Sequence, residues 1–95
     1  MTSKIKLEVN ILLQNMINEE IHVTDGCGHL VAYLHEGHDF IYWDFDEVYG
    51  KLLEFPKPTE YHLWEPEALR VKLNKLDEHQ THALHLAVQL LVELQ

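Results

Sequence analysis

Residues 21–55 read IHVTDGCGHLVAYLHEGHDFIYWDFDEVYGKLLEF, and their reading decides the fold. Asp25-Gly26, with Gly28 two residues on, is a turn signal between apolar runs. His35-Glu36-Gly37 fits a type I turn with glycine at the left-handed position, or a two-residue turn at Glu36-Gly37. Three short strands result, over 20–24, 29–35 and 38–43, paired as an antiparallel meander. The choice of turn sets the register. It puts Leu30, Ala32 and Leu34 on a face with either His38, Phe40 and Tyr42 or Asp39, Ile41 and Trp43. Both faces carry apolar residues either way, so both are expected to be covered, by helices or by a partner.

The meander feeds a helix. Asp44 suits an N-cap and Glu47, three residues later, completes a capping box. Val48, Leu52 and Phe55 follow at helical spacing, Gly50 weakens the segment, and Pro56 and Pro58 stop it. Residues 4–18 carry two patterns. Strict alternation over 4–11 argues for a strand, while Ile5, Val9, Leu12, Leu13 and Met16 fall on one helical stripe, and the helix is chosen. Residues 59–65 are expected to be extended, and Pro66 fits a first helical position. Leu69, Leu73 and Leu76 give a helix over 66–76. Asp77 with Gln80 suggests a break and a second helix over 77–94, but one helix over 66–94 keeps a single stripe and competes with it. The expected fold is therefore α+β, one domain over residues 1–95: a three-stranded meander packed by an N-terminal helix, a middle helix and one or two C-terminal helices.

Charge is unevenly laid along this chain. Sixteen acids face seven bases, a formal net charge of −9, and no lysine or arginine occurs between Lys6 and Lys51. Such a chain repels phosphate backbones and anionic membranes, so direct nucleic-acid binding and membrane binding are not expected. Its expected partner is a basic protein surface. Glu36, Asp39, Asp44, Asp46 and Glu47 are the acids placed to meet it, with Trp64, in an acid-flanked extended segment, as an aromatic anchor. Arg70, Lys72 and Lys75 gather downstream, which would make the molecule two-ended and suit pairing of copies, and a core of this size leaves a homodimer open. A binding protein of inhibitor, immunity or nucleic-acid-mimic type is the first expectation. An enzyme is not, because no nucleophile, phosphate loop or cofactor fingerprint is found.

Eight histidines supply the alternative, a domain that binds or senses zinc or nickel. His79, His82 and His85 are spaced three apart, and Glu78 stands one helical turn before His82. The bland reading is a solvated polar face. His35 and His38 flank the second turn beside Glu36 and Asp39, an arrangement that suits a metal, a pH response or simply an exposed turn. The single cysteine, Cys27, lies between two glycines and lacks the orienting groups of a nucleophile. It excludes an internal disulfide, and with no signal peptide or membrane-length apolar run it points to a cytoplasmic protein.

Overall fold

A computed structural model describes residues 2–34 and 39–94, the side chains of Asp39 and Phe40 excepted. Four α-helices and a short 3-10 helix account for it: α1 (Ser3–Ile17), α2 (Val23–Leu34), α3 (Asp39–Leu52), the 3-10 helix Pro58–Leu63, and α4 (Pro66–Glu93). No strand occurs among the described residues. The α+β expectation is overturned at the segment that carried it. Most of the described residues expected as a meander lie in α2 and the first part of α3.

The reason is visible in the burial pattern. In α2 the buried apolar positions are Val23, Cys27, Leu30 and Leu34, and in α3 they are Ile41, Phe45, Val48 and Leu52. Each set steps by four, three and four residues, which lays one stripe along a helix. Alternation over residues 29–35 would bury Ala32, which is instead exposed. The turn expected at His35-Glu36-Gly37 lies outside the described residues, whereas Gly26 and Gly28, also taken for turn residues, sit inside α2, and neither has a positive φ. They are positions of close approach. A Cβ on Gly26 would lie 2.4 Å from Met16 Cγ, and one on Gly28 would lie 3.0 Å from the Tyr49 hydroxyl. Gly26 thus lets α1 in against α2, and Gly28 lets α3 in.

The expected Asp44–Glu47 capping box is also absent in function, because α3 begins at Asp39 and both residues are interior to it. The helix chosen for the N-terminal segment is present as α1, capped by Thr2, whose Oγ1 accepts the Ile5 N–H at 3.2 Å. The C-terminal segment is one helix rather than two. Asp77 is exposed within it, and Leu76, Ala83, Ala87 and Leu90 keep one buried stripe across the expected break. Glu65 caps α4, its carboxylate accepting the Glu67 and Ala68 N–H groups, and Pro66 occupies the first turn, where its missing N–H costs nothing.

At ~1.5 Å per residue, the 28 residues of α4 account for the 45 Å long dimension of the molecule. α2 and α4 touch each other and each touches both α1 and α3, so they form the short diagonal of a four-helix arrangement. The core gathers one stripe from each helix, with Leu13, Met16, Leu30, Leu34, Phe45, Leu52 and Leu90 fully enclosed. The connection from α3 to α4 is fastened to α2, where Lys57 Nζ meets Asp25 Oδ1 at 2.9 Å. The Lys57 N–H donates to Glu60 Oε1, closing the start of the 3-10 helix.

Two glycine substitutions separate packing from propensity. Gly26→Ala should lower the free energy of unfolding in urea by about 1–3 kcal/mol, because buried Met16 has to move. Gly50→Ala, where no atom lies within 4 Å of the added Cβ, should raise it by about 0.5–1 kcal/mol.

Candidate interaction face and the cavities

The stripe Ile41, Phe45, Val48, Leu52 fixes which way the rest of α3 points. Trp43 lies opposite that stripe and is 64 % exposed. Asp46 and Glu47 are three and four residues after it, so they flank the indole on either side of the outer face. The backbone position of Asp39 is one turn before Trp43 on the same face. Gly50 is two turns after, and leaves a gap there that no side chain fills. Tyr42 meets the Trp43 ring edge-on, with centroids 5.1 Å apart and planes at 71°, which steadies the indole without covering it. The one base on α3, Lys51, is 3.3 Å from Glu47. Both partners are well exposed, so water and salt weaken this pair.

This arrangement sorts the acids expected at a partner surface. Asp46, half-buried, and Glu47, exposed, lie one helical turn from Trp43, while Asp44, also half-buried, lies on the opposite flank of the helix. Glu36, like His35 and His38, lies outside the described residues. Trp64 is half-buried where the 3-10 helix ends, its N–H bonded to the Tyr61 carbonyl, and the exposed tryptophan is Trp43. The sequence held a signal for this: with Ile41, Phe45 and Val48 read at helical spacing, position 43 can only face out. The basic trio separates as well. Arg70 pairs with Glu67, and Lys72 Nζ sits 5.4 Å from the centre of the Phe55 ring.

On α4, Glu78, His82 and His85 are exposed on one face. His79 turns away from them and rests against Phe55, ring centres 5.5 Å apart. Among the described residues no three His, Cys, Asp or Glu side chains are gathered closely enough to hold a metal ion. No helix among them is long and apolar enough to cross a membrane.

Two concavities lie on the α1 side of the molecule. One, of about 340 Å³, is a groove between α1 and α2 lined by Glu8, Ile11, Leu12, Asn15, His29 and Tyr33. Within it the Tyr33 hydroxyl donates to the Glu8 carboxylate, which holds the phenol above its ordinary pKa. The other, of about 290 Å³, is lined by Met16, Glu19, Ile21, His22, Val23, Gln80 and Leu84, from α1, the α1–α2 turn, the start of α2, and α4. Comparison with protein-family models, curated proteins and solved structures finds no match for the chain.

Cys27 is enclosed in the core, and burial pushes its thiol up from 9.0 to about 12. A proton held more tightly in the folded state stabilises that state below the unfolded pKa, and the stabilisation is lost as pH rises through the folded one. Between pH ~9 and ~12 this thiol should therefore cost stability at about 1.4 kcal/mol per pH unit. The difference between wild type and Cys27→Ala, followed by urea unfolding across that range, isolates the slope. At neutral pH a thiol reagent should label Cys27 only as fast as the helices open.

Proposed function

We propose that the protein is a non-enzymatic, cytoplasmic binding domain whose outer α3 face engages a basic surface on another protein. The observation that carries this reading is Trp43, 64 % exposed and flanked by the carboxylates of Asp46 and Glu47. An indole left in water is poorly placed in a lone molecule. It is well placed where a partner desolvates it, since aromatic residues supply much of the energy at interfaces. The chemistry beside it selects the partner's side chain. A guanidinium can stack on the indole while its N–H groups reach a carboxylate one helical turn away, a combination that lysine makes less well. Gly50 allows a second element to approach the α3 backbone closely at the far end of the same face.

The overall charge acts at longer range. With a formal charge of −9, the molecule draws a basic partner in before contact, and this part of the attraction fades with salt. The free, enclosed thiol of Cys27 suits a reducing compartment. Neither a homodimer nor a metal enters this reading.

Affinity capture from a native lysate, washed at low and at high salt, tests it. Wild type should retain a basic protein that high salt releases. Trp43→Ala should weaken its capture about thirtyfold, as loss of a ~2 kcal/mol aromatic anchor implies. Paired Asp46→Lys and Glu47→Lys should abolish capture at low salt. Equal capture by wild type and both variants overturns the proposal.

A further inference from the structure

The 290 Å³ cavity shares no residue with the α3 face, and its construction points to a ligand of its own. Met16 is buried at its inner end and Glu19 is exposed at its outer end, so the cavity runs from core to solvent. Met16, Ile21, Val23 and Leu84 make its walls apolar, and Glu19, His22 and Gln80 supply its polar groups. A ligand there would meet an oily interior and a small number of placed polar atoms, the usual composition of a small-molecule site.

Glu19 is the feature that sets the ligand's charge. It is the one non-glycine among the described residues with a positive φ, 60°. It occupies the position just past the end of α1 where glycine is strongly preferred. The Glu20 N–H bonds to the Asn15 carbonyl at 2.9 Å and the Glu19 N–H to the Met16 carbonyl at 3.2 Å, the paired bonds of a Schellman turn. The backbone of Glu19 is therefore held, and its carboxylate is tethered at the cavity mouth. No hydrogen bond or ion pair to that carboxylate, or to the Gln80 amide, is found among the described residues.

His22 is committed differently. Its Nδ1 accepts the Thr24 N–H at 3.3 Å, capping α2. In the neutral ring the proton then belongs on Nε2, so His22 can add a donor to the cavity. Among the described residues no lysine or arginine lines the cavity, and the molecule as a whole is strongly acidic. Local and long-range fields both favour a cation there.

We propose that this cavity binds a small organic cation, a primary ammonium on an apolar body, with the ammonium on Glu19 and the body between Met16, Ile21, Val23 and Leu84. The volume fixes the scale. An apolar cavity of ~150 Å³ takes a benzene ring, so about twice that takes a ring with a short amine-bearing chain.

Phenethylamine is a suitable probe, with phenylethanol and phenylacetate as neutral and anionic counterparts of the same size. Titrated into the full chain and followed by amide chemical shifts, phenethylamine should bind saturably and move the signals of Ile21, His22 and Gln80. Phenylethanol should bind at least tenfold more weakly, and phenylacetate not at all. Glu19→Gly is the informative variant, because glycine suits the left-handed position and keeps the fold while removing the carboxylate. It should raise the melting temperature and weaken phenethylamine at least tenfold, down to the affinity of phenylethanol. Glu19→Gln should weaken it similarly. Trp43→Ala should leave it unchanged, which separates this result from the fate of the α3 face. No saturable binding of phenethylamine, equal binding of the three probes, tighter binding of phenylacetate, or undiminished binding by Glu19→Gly each overturns the proposal.

Discussion

The closeness of α2 to its neighbours is the constraint on which the rest of the molecule depends. Gly26 admits the Met16 side chain of α1, and Gly28 admits the Tyr49 ring of α3. Any side chain at position 26 would displace the Met16 side chain, and α1 carries three of the enclosed core residues, Val9, Leu13 and Met16. α2 is also the helix that receives the Lys57 bridge from the α3–α4 connection. One short helix thus ties the ends of the molecule together. It can do so only because it gives up side chains at two positions and accepts the backbone entropy that glycine brings.

From that contact the orientation of α3 follows. Tyr49 packed on Gly28, with Phe45 and Val48 in the core, fixes the rotation of α3 about its own axis. Once that rotation is set, Trp43, Glu47 and Gly50 have no choice but to face water. The outer face of α3 is thus a consequence of core packing. An indole already exposed and steadied by Tyr42 loses little conformational entropy when a partner covers it, which is where preformed binding surfaces gain affinity.

The same contacts explain what the sequence could and could not show. The N-terminal helix and the start of the last helix at Pro66 were legible, because helical stripes and prolines act locally, whereas the middle helix ends at Leu52, short of the Phe55 end expected before Pro56. The meander was a misreading with a definite cause. Asp25-Gly26 and Glu36-Gly37 look like hairpin turns, and histidine-rich, β-branched runs around them look like strands. Yet a glycine needed for a neighbour's side chain is indistinguishable, in sequence, from one needed for a positive φ. Only the four-three-four spacing of Val23, Cys27, Leu30 and Leu34, repeated from Ile41 to Leu52, discriminates, and it requires reading straight through the apparent turn. The error carried over to the site. In a strand Trp43 competes for a core face, and in the helix it cannot. Glu19 held no signal of its own, since its left-handed backbone is imposed by a turn whose last residue could have been glycine.

The acidity of the chain is not uniform surplus, and the fold itself sorts it. Asp25 is matched by Lys57, Glu67 by Arg70, and Glu8 by the Tyr33 hydroxyl. Glu60 and Glu65 satisfy backbone N–H groups at helix starts, where negative charge is favoured. These carboxylates have structural partners, and a competing ligand would have to displace them. On the outer face of α3 the balance is different. Among the described residues the one ion pair there joins Lys51 to Glu47, and it is too exposed to hold the charge in place. Among the described residues no ion pair to Asp46 is found, and it lies near an indole that is mostly exposed. At the mouth of the α1–α4 cavity Glu19 is likewise unmatched among the described residues, and held there by backbone geometry that glycine would adopt at lower cost. Charge the fold does not use, placed beside an exposed indole in one place and beside an apolar cavity in the other, is what these two places have in common.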